Sequence, residues 1–275
     1  MKPASFSFIR PDSLAEALAA LRQHGSEARV IAGGQSLMAM LNMRLARPAV
    51  LIDIMRVPEL AALSIVKDRL VVGAGIRQAA LLARESLAEE IPLLAAALPW
   101  VGHYQTRARG TVCGSVAHAD PSAEIPLSLV ALRGGIHLRS AKKRRVVPAE
   151  TFFAGMMLTD KQDDELIEAV SFPLRSAGTG YAFKEIGRRH GDFAIAACAG
   201  IADANRLRLA VGGVADRPVA RDFPLLEGSA LDDALNEFAW SLEARDDLHA
   251  TARFRRDLVR QLGRAVLQEA MTCRN

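Results

Sequence analysis

Arg29-Val30-Ile31-Ala32-Gly33-Gly34-Gln35-Ser36-Leu37-Met38-Ala39-Met40 is the stretch on which the reading of this chain turns. Arg29 to Ala32 reads as the end of a short buried strand. Gly33 and Gly34 interrupt it, and the apolar residues from Leu37 to Leu45 predict one helix after the turn. A strand that turns through two glycines into a helix leaves a row of backbone N–H groups unpaired. Those donors, with the positive end of a helix dipole, suit a phosphate, and glycine lets a ligand come close to the backbone. For Gly-Gly alone, a tight strand–helix turn with no ligand is the better explanation. A second glycine-bearing stretch, at 109–124, strengthens the ligand reading.

Outward from this turn, Phe6 to Arg10 alternates as a strand. Ser13 is placed to cap a helix, with Glu16 three residues on as in a capping box. Leu14, Ala17, Leu18 and Leu21 share one face of that helix, and His24-Gly25 ends it. Arg47-Pro48 stops the helix after the turn, and Val50 to Ile54 reads as a strand carrying Asp53. Residues 1–55 therefore read as β-α-β-α-β, a small α/β lobe.

Arg69 to Gly73 predicts a further strand, and Arg77 to Ser86 and Ile91 to Trp100 predict helices. The sequence from Arg109 to Glu124, RGTVCGSVAHADPSAE, reads as a loop of small residues able to approach a sugar–pyrophosphate group. A surface loop, or packing that demands small residues, is its other explanation. A helix follows through Leu132. Gly135 to Leu138 and Arg145 to Val147 then form a hairpin around Lys142-Lys143-Arg144-Arg145. Leu166 to Phe172 is a strand ended by Pro173, and the polar, glycine-rich tract Ser176 to Gly180 marks a boundary. Beyond it, Tyr181 to Glu185, Ala194 to Ile201 and Arg206 to Val211 read as antiparallel strands, and 230–244 and 247–270 as helices.

The 275 residues are half apolar, an ordinary globular composition. With 35 basic and 31 acidic side chains the net charge of +4 is too mild to argue for nucleic acid. The three cysteines, Cys113, Cys198 and Cys273, are far apart, which disfavours a disulfide framework and a structural zinc site. Three thiolates also fall short of a four-thiolate iron–sulfur cluster. No apolar run reaches the roughly 20 residues of a membrane span. The first ten residues lack a signal-peptide core, so a cytoplasmic location is expected.

No two histidines stand at a metal-ligand spacing, and no metal site is expected. His103 and His118 flank or lie in the small-residue loop, where a lone histidine more often packs or hydrogen-bonds than catalyses. There is no nucleophile elbow, no Walker-type phosphate loop and no G-x-G-x-x-G after the first strand. What remains is glycine turns and a polar loop without acid–base machinery. That combination suits a protein that holds a cofactor and lets the cofactor carry the chemistry. No catalytic side chain is assigned.

Ala32-Gly33-Gly34-Gln35-Ser36-Leu37, with Arg44-Leu45-Ala46-Arg47-Pro48 and Leu51-Ile52-Asp53-Ile54, resembles the first flavin motif of the molybdenum hydroxylase flavoproteins. These are the medium subunits of carbon monoxide dehydrogenase and xanthine dehydrogenase type. Arg109 to Pro121 resembles their second motif. Lys184 with Gly191-Asp192-Phe193-Ala194 resembles a third landmark. Asp247-Leu248-His249-Ala250 and Arg255-Arg256 resemble the end of their C-terminal domain. The resemblance covers essentially the whole chain.

It implies an α+β protein in three parts. A two-lobed FAD-binding domain has a small α/β lobe at 1–55 and a larger α+β lobe at 56–175. A C-terminal domain at 176–275 has a three-stranded antiparallel sheet and helices. FAD is expected to be held without a covalent bond. Ala32, Gly33, Gly34, Gln35 and Ser36 are expected to wrap the pyrophosphate, flanked by Arg29, Val30, Ile31 and Leu37. Thr111, Gly114 and Ser115 close on it from the second lobe, with Val101, Ala119 and Asp120 nearby. Glu124 stands where many members carry aspartate and is expected to meet the ribose or adenine side. Ile167 and Lys184 are expected to reach the flavin ring. Cys113 stands where glycine is usual, so its Cβ is expected to crowd the phosphate turn and bring a thiol near the cofactor.

The resemblance also implies partners: a small subunit with [2Fe–2S] clusters and a large molybdopterin subunit. The chain is then expected to be the electron-transferring FAD subunit of a heterotrimeric oxidoreductase, passing electrons to NAD, a quinone or oxygen. A self-sufficient flavin oxidoreductase of the same fold and a non-catalytic nucleotide-binding module are the competing readings.

Overall fold

A computed structural model describes residues 2–274. The first lobe is β1 (Ser7–Ile9), α1 (Leu14–His24), β2 (Ala28–Ile31), α2 (Leu37–Asn42) and β3 (Val50–Asp53). Its three strands lie in the order β1-β3-β2, all parallel. Ser13 caps α1, its hydroxyl accepting from the Glu16 N–H at 3.2 Å. The Glu16 carboxylate reaches back to the Asp12 N–H at 3.0 Å, one residue short of the reciprocal capping-box bond. Leu14, Ala17, Leu18 and Leu21 are buried against the sheet.

The second lobe opens with β4 (Leu63–Val66) and β5 (Arg69–Gly73), then α3 (Gln78–Leu82), α4 (Leu87–Glu90), α5 (Pro92–Ala97), α6 (Tyr104–Arg109), α7 (Val112–His118) and α8 (Glu124–Ala131). It closes with β6 (Gly135–Arg139), β7 (Arg144–Pro148), α9 (Ala149–Phe152), the small hairpin β8 (Phe153–Gly155) and β9 (Leu158–Thr159), and β10 (Leu166–Pro173). Its main sheet is antiparallel, in the order β4-β5-β10-β6-β7. The helices expected over 77–86 and 91–100 are shorter than the apolar pattern suggested. Pro92 opens α5, and Leu98–Trp100 tightens into a 3₁₀ turn. Both lobes share one continuous core that runs from Leu14 to Phe172.

The C-terminal domain is β11 (Gly180–Ile186), β12 (Ala196–Ala202), β13 (Arg206–Gly212), β14 (Val219–Pro224), α10 (Gly228–Ser241) and α11 (Ala252–Thr272). Its antiparallel sheet has four strands in sequence order, one more than the three expected. The extra strand, β14, is an edge strand in which only Phe223 is fully buried. Its alternation is therefore too weak to read from the sequence. Both faces of this sheet are covered. Ala196, Cys198, Leu207, Leu209 and Val211 face α10 and α11, whereas Ala197, Ala199, Ala210 and Phe183 face α5 and α8. The run of small residues in β12 follows from helices packing closely on both sides.

Arg208, only 5% exposed, fixes this domain to the second lobe. Its guanidinium donates to the carbonyls of Ala131 (2.8 Å) and Val130 (3.0 Å) at the end of α8, and pairs with Glu150 (2.5 Å) and Asp222 (3.1 Å). A cation there satisfies carbonyls that a helix end leaves free. No described helix is long and apolar enough to cross a membrane.

Candidate functional site

A cleft of about 640 Å³ separates the two lobes and reaches the C-terminal domain. The unbroken run Arg29 to Leu37 forms one wall. Thr111, Gly114, Ser115, Asp120 and Glu124 form the opposite wall, with Val101 and Ile167 among the remaining lining residues. Ala119 and Lys184 do not line it.

The first wall owes its shape to the end of β2. The Ile31 carbonyl still accepts from the Ile54 N–H at 3.1 Å, after which the chain leaves the sheet. A Cβ on Gly33 would overlap the Arg109 carbonyl oxygen and the Gly110 backbone, so glycine is required for the two lobes to touch here. Gly34 has φ +71°, the left-handed conformation that glycine adopts without strain. Among the described residues, no carbonyl or side chain accepts from the N–H groups of Gly33, Gly34, Gln35, Ser36 or Leu37. The helix behind them is six residues long, not the nine expected to Leu45. Arg44 turns to φ 58°, and the Leu45 N–H closes back on the Met40 carbonyl at 2.9 Å.

The second wall is not the expected loop but the helix α7. Thr111 caps it, its Oγ1 accepting from the Gly114 N–H at 3.0 Å. A Cβ on Gly114 would come within 2.7 Å of that hydroxyl oxygen. Val112, Cys113 and Val116 are buried, and Cys113, Gly114, Ser115, Ala117 and His118 line the cleft. Cys113 does line the cleft, but from within a helix, and so corrects only the expectation of a crowded phosphate turn. It sits in the helix with its thiol in the core, 3.5 Å from the Val72 carbonyl. Burial pushes that thiol up to about 12, which leaves it inert. Ala119 is a second correction. It takes the left-handed conformation that ends α7 (φ 53°) and is buried, and its carbonyl accepts from the Met157 N–H at 3.1 Å. Its role is to hold the β8–β9 turn beside the cleft.

Lys184 is the third correction. Successive residues of β11 point to opposite faces, and Lys184 points toward α11, where its Nζ lies 2.6 Å from the Glu269 carboxylate. The loop after β11 reaches the cleft instead, through Gly191, Asp192 and Phe193. Gly191 (φ +85°) lies against the ring of His103, and Trp100 packs edge-on against His190 with centroids 4.9 Å apart. Asp192 is held by Arg189 at 3.1 Å, which keeps its carboxyl below the usual range.

Three further cleft residues carried no local signal. Gln78 is buried, and its Oε1 has no hydrogen-bond partner. Lys161 donates to the carbonyls of Gln162 (2.8 Å) and Glu165 (3.3 Å), and burial lowers its pKa. Glu165 is gripped by Arg145 at 2.7 Å. On the opposite wall Glu124, 4% exposed, opens α8, and burial pushes its carboxyl up to about 7. A row of free backbone donors, a wall stripped of Cβ atoms and an orphaned acceptor fit an elongated, phosphate-bearing ligand.

Residues 4–175 match the family model described as the FAD binding domain in molybdopterin dehydrogenase. Residues 181–270 match that of the CO dehydrogenase flavoprotein C-terminal domain. The chain is 37% identical to the nicotine 6-hydroxylase medium subunit of Paenarthrobacter nicotinovorans, over 98% of its own length and 99% of that protein's. It is 34% identical to the 6-hydroxypseudooxynicotine dehydrogenase complex subunit alpha of the same organism, over 98% and 96% of the two chains. Its fold superposes on a chain of a solved carbon monoxide dehydrogenase from Hydrogenophaga pseudoflava with a TM-score of 0.94, at 31% identity and full coverage of both chains.

Proposed function

Because this chain belongs to the FAD-binding medium subunits of the molybdenum hydroxylase family, we propose that it is the flavin subunit of a heterotrimeric dehydrogenase. In this reading it receives electrons from the [2Fe–2S] clusters of a small subunit, fed in turn by a molybdopterin large subunit. It delivers them to an external acceptor, which is NAD, a quinone or oxygen, in the cytoplasm. The observation that carries the proposal is the run of unpartnered N–H groups from Gly33 to Leu37 along the cleft wall.

Those donors hold the pyrophosphate. Arg29, Val30, Ile31 and Ala32 extend the same wall. Thr111 acts through Gly114, whose N–H it caps, and Ser115 presents its hydroxyl from the second lobe. Val101 closes the apolar part of the cleft, and Asp120, Glu124 and Ile167 complete the proposed contact set. Asp192 and Phe193 enter it in place of Lys184. Bound FAD supplies the ability to take and give electrons singly or in pairs; the chain's own residues bind and orient it and keep water from it.

The two buried cysteines and the exposed Cys273 offer no cluster of their own, so iron must come from a partner. Substrate choice also belongs to a partner: the chain is similar in sequence to a subunit of nicotine 6-hydroxylase and in fold to a chain of carbon monoxide dehydrogenase, proteins named for unlike substrates. The test is gentle affinity purification from the native host, with cofactor release and metal analysis. FAD in constant ratio to iron and molybdenum is the expected result. FAD with neither metal would favour a self-sufficient flavoprotein, and a colourless chain that takes up no FAD would overturn the cofactor site.

A further inference from the structure

Glu185 lies on the face of β11 opposite Lys184, buried to 8% exposure, and its Oε2 has no hydrogen-bond partner. Strand register places it at one end of the seam between the C-terminal sheet and α8. Glu185 pairs with Ala197, and Ala197 with Gly212. The next residue, Gly213, donates its N–H to the Pro121 carbonyl at 2.8 Å, just ahead of α8. A Cβ on Gly212 would stand 3.3 Å from that same carbonyl oxygen. Glu124, the first residue of α8 and a lining residue of the cleft, is the charged group whose field reaches Glu185 across this seam. The far end of α8 has the opposite character: there Arg208 supplies a cation with all its partners in place.

We propose that Glu185 is a positioning residue that holds a proton against Glu124, limiting the negative charge the seam presents to FAD. This rests on the reading that Glu124 borders the FAD site. Two adjoining carboxyls in a dry seam cannot both ionise cheaply, and a pyrophosphate nearby adds a third source of negative charge. Among the described residues, the elements packed on this face of β11 offer no cation to Glu185. Ala197 and Ala199 of β12, Leu93 and Ala97 of α5 and Leu127 of α8 are apolar. The charged neighbour of Glu185 is Glu124; around Glu124 itself stand Asp120, which raises its pKa, and Arg107, which lowers it. Burial first, and the Glu124 charge second, push Glu185 up to about 8.

Two consequences follow. The folded chain keeps protons that the unfolded chain has already released, from the ordinary carboxylate range up to about 8. Stability contributed by the pair is therefore full at low pH and falls as pH rises through that window. FAD affinity falls at the upper end of that window and just above it, where Glu185 itself ionises and a second charge develops beside the cleft.

The test compares wild type with Glu185→Gln, which keeps the shape and cannot ionise. FAD is titrated into the apo chain by flavin fluorescence, and thermal midpoints of the apo chain are measured over the same pH range. Wild-type affinity should weaken roughly tenfold between about pH 7.5 and about pH 9.5, while the variant should change less than about twofold. The wild-type midpoint should fall by roughly 3 °C more than the variant's between about pH 6 and about pH 9. Parallel profiles for the two proteins would overturn the proposal. A chain that takes up no FAD at either pH overturns the FAD reading instead, and the melting comparison still decides the carboxyl pair. If Glu185→Gln does not fold, wild type suffices. A carboxylic-acid infrared band present near neutrality and lost by about pH 9.5 supports the held proton, and its absence refutes it.

Discussion

The two walls of the cleft are both built from small residues, yet they work in opposite ways. Along Gly33 to Leu37 the backbone donors are left free, and the glycines exist so that the chain can turn and touch its neighbour. Along Thr111 to His118 the chain satisfies itself. Thr111 caps the helix, Gly114 leaves room for that cap, and the apolar side chains go into the core. The first wall is a row of free backbone donors facing the cleft. The second is a rigid stop against which the first is positioned, and Gly33 is the point of contact between them.

Breaking that contact should have the largest effect. Gly33→Ala places a methyl group into the Arg109 carbonyl, which is backbone and cannot swing aside. Overpacking of this kind should destabilise the chain by roughly 2–3 kcal/mol. Because the lobes must part, FAD affinity should drop roughly a hundredfold. Gly34→Ala meets side chains only, the Met38 Cγ at 3.2 Å and Ile31 at 3.6 Å, and should cost about 1 kcal/mol, chiefly from its positive φ. Denaturant melts and FAD titrations of the two variants give the ranking. Equal losses, or a milder effect at Gly33, would show that the lobes do not bear on each other there.

The second wall sharpens the contrast. Thr111→Val preserves shape and removes the cap acceptor, so the chain should lose about 1 kcal/mol. FAD should bind several-fold more weakly because Ser115 is no longer fixed, not because a direct contact has gone. Crystals or amide exchange of the variant should show protection lost over the first turn of α7. An affinity loss with full protection would mean that Thr111 touches the cofactor directly.

How far each wall could be read from the sequence follows the same division. The first was legible because its feature is the backbone itself: a buried strand, two glycines, then apolar residues. Only the length of α2 was overestimated, since nothing in Met43-Arg44-Leu45 announces that Arg44 turns left-handed. The second wall was hidden by composition. Gly114, Ser115 and Ala117 dilute the helical pattern, although Thr111 followed by Val112, Cys113 and Val116 does carry a cap and one apolar face. The setting of Cys113 was hidden for the same reason: it lines the cleft from a helix, with its thiol turned to the Val72 carbonyl. Gln78 and Lys161 could not be found, because each reaches the cleft through contacts made by distant chain segments. The edge strand β14 escaped because a sheet margin needs few apolar residues.

Lys184 offers the smallest expected effect and the plainest check on strand register. In β11 the buried Phe183 faces α5 and α8, and Glu185 shares its side; period-two alternation then sends Lys184 to the other side, against Glu269 of α11. Both members of that ion pair are about two-fifths exposed, so Lys184→Ala should cost less than about 1 kcal/mol. FAD affinity and flavin reduction potential should stay at wild-type values. A shifted potential would mean that a cation does reach the ring from this strand, and that β11 is displaced by one residue. That slip would carry Glu185 out of the seam as well, so the two faces of β11 stand or fall together.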